Sequence, residues 1–353
     1  MSRNNSAALP DATKEAPVGP MSKSTSVSLL IAILIVAFAV VPLVGSEYWL
    51  NAILVPFLIM SLAGLGLNIT MGYCGQASLG SGAFMAVGAY ATYNILVRLP
   101  DLPLPVSALA GCLIAGLVGI VVGLPSLRIK GFYLIATTLA AQFFIEWVFR
   151  QFPWFSNYAS SVSAPKLAFL GVSFDTPVKL YLLTLTTVVI VFAVSWKLVC
   201  SQTGRNWMAT RDMELAAATI GVPTGRAKLS AFFFGAMILG LAGALLAFVY
   251  LRTINASSFS LDQSFVILFI VVIGGMSSLS GNFLGAAFVI LLPTLIEFLA
   301  GRIFSGAVDS GQLANARKVL FGVMIIWFLI KEPYGLAALL DRIIGWFRMR
   351  LSR

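Results

Sequence analysis

Two carboxylates, Glu146 and Glu297, stand within apolar runs, each near one end of its run. An ionisable group at membrane depth costs about 3 kcal/mol on insertion scales and is a functional candidate by default. The chemistry open to such a group is proton coupling. Arg150 follows Glu146 by four residues, which is ion-pair spacing on a helix and favours a structural role there. Arg302 follows Glu297 by five, a less regular spacing. A proton-coupled carrier wants carboxylates near the membrane midplane, and none stands clearly there.

Uncharged hydrogen-bonding groups gather in two glycine-rich stretches. Gly72–Ala83 reads GYCGQASLGSGA and Gly274–Ala286 reads GGMSSLSGNFLGA. Both place SLG or SLSG between apolar runs, a sign of internal duplication. Gly75, Gln76, Ser78, Gly80 and Ser81 belong to the first; Ser278, Ser280 and Asn282 belong to the second. Irregular backbone at membrane depth is tolerated only where protein buries it or water reaches it. Broken helices in corresponding positions of two halves point to a substrate path. The other reading is a tight turn at the cytoplasmic surface, since glycine is the default turn residue. The sequence leaves both open.

A third stretch is suited to docking and not to reaction. Residues 201–228 are the longest charged interruption inside the apolar region. Within them Met213–Ile220 contains ELAAAT, built of good helix formers. Thr210 or Asp212 is placed to cap its start, and Gly221 followed by Pro223 to stop it. Leu215, Ala216, Ala218 and Ile220 give the short helix an apolar surface. The alternative is a plain solvated loop.

The absences narrow the class. The chain has no histidine, which removes the commonest metal ligand and the side chain that titrates near neutral pH. Cys74, Cys112 and Cys200 are far apart and at no metal-ligand spacing, so no metal and no cofactor is expected. There is no GxxxxGK[ST] phosphate loop. No constellation for a membrane-embedded transferase is present, and the chain does not read as an enzyme.

Hydrophobic residues make up 59% of the 353 and charged residues 10%. That leaves too little polar surface to face water, and the remaining solvent is the lipid bilayer. The fold class is an all-α polytopic transmembrane bundle of about 8–10 spans. Spans are expected near 27–44, 49–70, 82–97, 104–124, 132–149, 180–199, 229–250, 265–281, 284–300 and 318–331. Residues 1–26 are polar and read as a disordered tail, 27–331 as the membrane domain, and 332–353 as a basic tail. With the N-terminus in the cytoplasm, 15 of the 23 Lys and Arg residues fall on the cytoplasmic side. Both termini and 201–228 are then cytoplasmic. This bias also accounts for the net charge of +10 without nucleic acid. Small-residue rows such as Gly119/Gly123 and Ala236/Gly240/Ala244 read as helix packing.

The pattern E-x-A-A-x-x-x-G resembles the cytoplasmic EAA loop of bacterial ABC importer permeases. GYCGQASLGSGAFMAVGAY at 72–90, SLRIKGFYLIATTLAAQ at 126–142, RDMELAAATIGV at 211–222 and GGMSSLSGNFLGA at 274–286 resemble the branched-chain amino acid permease family of the LivM type. The likeness runs from about residue 50 to 331. The generic loop has glycine six residues after glutamate, whereas Gly221 is seven after Glu214. The resemblance implies one half of an importer in the bacterial inner membrane. A homologous permease would pair with it, two ABC ATPase subunits would dock below, and a periplasmic binding protein would deliver the solute. Branched-chain amino acids are the default cargo; urea, amides, other amino acids and aromatic acids remain open. On this view Arg211 and Glu214 make polar contacts to the ATPase, while Ala216, Ala217 and Gly221 permit close approach. The path would lie between the two permeases, lined by both glycine-rich breaks with Asn68, Thr137, Thr138 and Gln142. The rival class is an ion-gradient-driven secondary transporter.

Overall fold

In lipid each backbone N–H and C=O must be paired inside its own segment, so long apolar runs fold as helices. The computed structural model describes residues 36–99, 101–129, 131–157, 162–163, 168–169, 172–173 and 176–303, with 322–323, 326, 330, 335–339 and 342 beyond them. The expected tails and the expected span at 318–331 lie outside these residues or touch them only at isolated positions.

The chain runs through α1 (Val36–Val40 and Val41–Val44), α2 (Trp49–Tyr73), α3 (Ser81–Arg98), α4 (Leu104–Leu127), α5 (Phe132–Gln151) and α6 (Pro177–Cys200). It continues through α7 (Gln202–Asp212), α8 (Glu214–Thr219), α9 (Thr224–Leu251), α10 (Leu261–Gly274) and α11 (Gly281–Ile303). Among the described residues, six helices are long and apolar enough to cross a membrane: α2, α4, α5, α6, α9, and the run Ala256–Gly274 that contains α10. Helix α3 stands among them, and α11 carries the shorter apolar stretch Gly281–Leu295. The expected span at 265–281 is corrected, since α10 ends at Gly274, where Gly275 takes φ 112° and breaks the helix.

Helices α2 and α9 form the centre, each with 78% of its span buried within the chain, against 22% for α5 and α6. The peripheral helices turn Phe143, Phe144, Trp147, Ile190 and Trp196 outward, as a lipid-facing surface requires. Small residues set the central packing. A methyl group at Gly88 of α3 would stand 2.1 Å from the Gly240 carbonyl oxygen of α9. One at Gly119 of α4 would stand 2.4 Å from Ala236 Cβ. Lipid tails are as apolar as leucine, so close backbone approach and van der Waals packing hold the bundle together.

Beyond the far end of α5 from α7 and α8, short strands pair. There β1 (Val162–Ser163) pairs antiparallel with β4 (Thr253–Ile254), while β2 (Ala168–Phe169) pairs with β3 (Val172–Ser173). Arg98 at the end of α3 lies over the Trp154 ring, 3.4 Å from its centroid. Asn94 Nδ2 donates to Phe155 O at 2.9 Å. Arg150 Nη2 sits 2.6 Å from Glu146 Oε1, the i,i+4 ion pair its spacing anticipates. The side chain of Glu297 lies outside the described residues.

Candidate functional site

The two glycine-rich breaks meet the charged segment at one end of the bundle, and they differ in form. After Tyr73 the chain leaves α2 and runs non-helically through Cys74–Gly80 into the bundle. Leu79 N donates to Thr138 Oγ1 at 3.1 Å, and Gly80 N to Ser78 Oγ at 3.2 Å. Helix α3 then begins at Ser81. Its first free N–H groups are taken by side chains of other helices, Gly82 N by Ser264 Oγ at 2.8 Å and Ala83 N by Gln142 Oε1 at 2.6 Å. Gln142 Nε2 donates onward to Phe259 O at 2.8 Å.

Two independent measures place this start. Gln142 is ten residues into α5 from Phe132, about 15 Å at 1.5 Å per residue. Ser264 is ten residues from Gly274 at the end of α10, again about 15 Å. By both measures α3 starts well inside the bundle, about 15 Å along its neighbours, and the first break runs inward to reach it.

The second break is a tight turn. Ser277 takes φ 68°, and Ser278 Oγ accepts from Gly281 N at 3.0 Å as α11 starts. Asn68 of α2 holds this turn from both sides. Its Oδ1 accepts from Ser277 N at 2.9 Å, and its Nδ2 donates to Ser278 O at 3.0 Å and to Asn282 Oδ1 at 3.2 Å. The first break thus runs into the bundle, whereas the second folds back as a tight turn.

Residues 201–228 form two helices where one was expected. Helix α7 is anchored by Trp207, fully buried, whose Nε1 donates to Ser230 Oγ at 2.9 Å. Ser201 caps α7 by accepting from Thr203 N at 3.2 Å. Neither Thr210 nor Asp212 caps α8: Thr210 Oγ1 donates back to Asn206 O at 2.7 Å, and Asp212 pairs with Arg211 at 2.8 Å. The stop is as expected. Gly221, at φ 88°, donates to Ala218 O at 3.1 Å, and Val222 N to Ala217 O at 3.0 Å, a paired closure that needs a left-handed residue.

Arg211 and Glu214 turn into this chain, not away from it. Arg211 Nη1 donates to Gly72 O at 3.0 Å and to Ser277 Oγ. Glu214 Oε1 lies 2.7 Å from Lys228 Nζ, and Lys228 also donates to Ser126 O at 3.2 Å. Ala217 is buried within the chain, so it is not a surface for close approach, whereas Ala216 and Gly221 are exposed. The outward side of the short helix is apolar: Met213 is 71% exposed, Leu215 79% and Ile220 78%.

Asn68, Gln76, Ser78, Gly80, Thr138, Gln142 and Asn282 are all buried inside this chain and form an internal polar seam. Thr137 is half-buried and donates only to Tyr133 O, a turn below it on α5. Gly75 and Ser280 are exposed at the same end of the bundle as the two breaks. There Cys74, Gly75, Gln76, Ala77, Gly131, Leu134, Thr210, Arg211, Glu214 and Lys228 enclose a cavity of about 180 Å³. Among the described residues no group of three or more His, Cys, Asp or Glu side chains converges to hold a metal ion.

Sequence reasoning missed Lys228, Ser277, Ser264 and the carbonyl of Gly72. Ser277 stood beside the selected Ser278. Lys228 sits one residue before an apolar run, where it reads as a flanking charge. A lone Ser264 in an apolar helix was the available signal for the third.

A bundle in which, among the described residues, six helices are long and apolar enough to cross a bilayer defines a multi-pass membrane protein. Residues 49–329 match the family described as branched-chain amino acid transport system / permease component. The chain belongs to that family and is a permease subunit of an ABC-type importer. It is similar to the high-affinity branched-chain amino acid transport system permease protein LivM of Escherichia coli K12, with 28% identity over 303 residues, covering 79% of this chain and 68% of the relative. The Salmonella typhimurium LT2 LivM is 30% identical over the same shares. The autoinducer 2 import system permease protein LsrC of Enterobacter sp. 638 is 29% identical over 231 residues, 60% of this chain and 65% of the relative. No solved structure matches.

Proposed function

We propose that this chain conducts branched-chain amino acids into the cytoplasm as one of two homologous permeases in an inner-membrane importer. Two ATPase subunits dock below the permease pair, one of them on α8 of this chain, and a periplasmic protein delivers the solute to the opposite face. Both termini and the α7–α8 face are cytoplasmic. One observation carries the reading: Met213, Leu215 and Ile220 give the short helix and its two ends an apolar outward face, while Glu214 pairs with Lys228 at the α9 base and Arg211, at the end of α7, bonds into the helix breaks. An exposed apolar patch rimmed by polar residues marks an interaction site. Energy enters from the ATPase, since the sequence has no phosphate loop. The path follows the internal seam from the start of α3 to the cavity beside Arg211.

Proteoliposomes containing the chain, its ATPase and its partner permease test this. ATP and binding protein together are expected to drive labelled leucine, isoleucine or valine uptake that an uncoupler leaves unchanged. Uptake that collapses with the uncoupler and ignores ATP would restore the secondary-transporter reading. Uptake of urea, an amide, another amino acid or an aromatic acid in place of leucine would reassign the cargo alone.

A further inference from the structure

We propose that Arg211 carries movement of the α7–α8 joint to both helix breaks, acting within this chain as a positioning residue. The proposal rests on the reading of α8 as the ATPase-docking element.

Gly72 lies in the last turn of α2, where carbonyls have no intrahelical partner and the helix dipole favours a cation. Arg211 Nη1 donates to that carbonyl and to Ser277 Oγ. Ser277 Oγ donates to the same carbonyl at 2.7 Å. One guanidinium thus clasps the end of α2 to the turn between α10 and α11. Asn68 extends the clasp inward, since its Oδ1 accepts from Ser277 N and its Nδ2 reaches Asn282. Asn282 Nδ2 is buried with no hydrogen-bond partner, which leaves the network one bond short. The stem of Arg211 packs on the first break as well: a methyl group at Gly75 would lie 2.9 Å from Arg211 Cγ.

The other edge of the guanidinium is held by Asp212, with Nε and Nη2 each 2.8 Å from Oδ1. Lysine has no such fork and could not hold both edges at once. Arg211 is two residues before the exposed Met213, on the opposite side of the joint. Displacement of α8 by a docked partner must therefore drag or break the bonds to Gly72 and Ser277. Releasing them uncouples the end of α2, the second break and the wall of the cavity from the α7–α8 joint, while Asn68 and Ser277 still tie the turn to α2.

The test compares Arg211→Gln, Ser277→Ala and the double variant in the full complex. It reads co-purification of the ATPase, ATP hydrolysis with and without binding protein, and uptake. The single variants are expected to keep the ATPase bound, to lower uptake at least tenfold, and to lose stimulation of hydrolysis by binding protein. The double variant should be no worse than either single one, because both remove the same clasp. Arg211→Lys, which keeps the charge, should fold and retain partial uptake. Normal coupling in Ser277→Ala, or fully additive losses, would overturn the clasp. Loss of ATPase binding in Arg211→Gln with Ser277→Ala intact would assign Arg211 to docking. If wild-type chain neither binds an ATPase nor uses ATP, the docking reading has failed first.

Discussion

Nζ of Lys228 stands 2.7 Å from Oε1 of Glu214, with the lysine side chain 2% exposed and the carboxylate 25%. The pair is unequal, and so are its two deletions. Glu214→Ala leaves an ammonium buried with only Ser126 O to receive it, an uncompensated charge costing about 3–5 kcal/mol. Lys228→Met removes the buried charge and leaves a carboxylate that water can reach. Thermal unfolding of purified complex is expected to show Glu214→Ala well below Lys228→Met. Equal losses would mean the lysine is solvated.

Gly221 separates strain from contact. A methyl group there meets nothing within 4 Å, but φ is 88°. Gly221→Ala should therefore cost only the left-handed penalty, about 1–2 kcal/mol. Gly221→Asn should cost less, since asparagine tolerates this region. Melting temperatures in the order Gly, Asn, Ala check it; a fall far larger than this range for alanine would show that a partner surface touches the site.

Gln142 caps the start of α3 inside the bundle. Gln142→Leu strips the acceptor from Ala83 N and the donor from Phe259 O, leaving buried groups unpaired at about 1–3 kcal/mol each. Thr137→Ala, five residues away on the same helix, loses only a bond to its own helix and should stay within about 0.5 kcal/mol of wild type. Accumulation and thermal stability of the two variants measure the difference.

Much of the fold was legible because apolar length and glycine spacing are local signals. The runs that became α2, α4, α5, α6 and α9 read directly. The ion pair Glu146–Arg150 and the stop at Gly221 read because their partners are a turn apart. What failed were relationships across the chain. Asn68 and Ser277 are 209 residues apart, and no local pattern announces that one accepts from the other. Arg211 and Glu214 carried the mark of a docking motif, but a side chain's direction depends on what the fold puts beneath it. Helix α7 escaped because its polar surface reads as loop, and the burial of Trp207 that fixes it is tertiary.

The outward face of α8 gives the complementary prediction to the Arg211 clasp. Leu215 and Ile220 are 79% and 78% exposed, so replacing either by aspartate removes little packing within this chain. Stability should shift by no more than about 0.5 kcal/mol, as for surface substitutions generally. A docked ATPase that covers these side chains would instead have to bury a carboxylate without a partner, which is costly. Leu215→Asp and Ile220→Asp are therefore expected to abolish ATPase co-purification while the permease folds and melts as wild type. The Arg211 variants should do the reverse, keeping the ATPase and losing the work it drives. If both aspartate variants retain the ATPase and ATP-driven uptake, docking lies elsewhere on the cytoplasmic face, and the apolar side of α8 meets lipid or solvent.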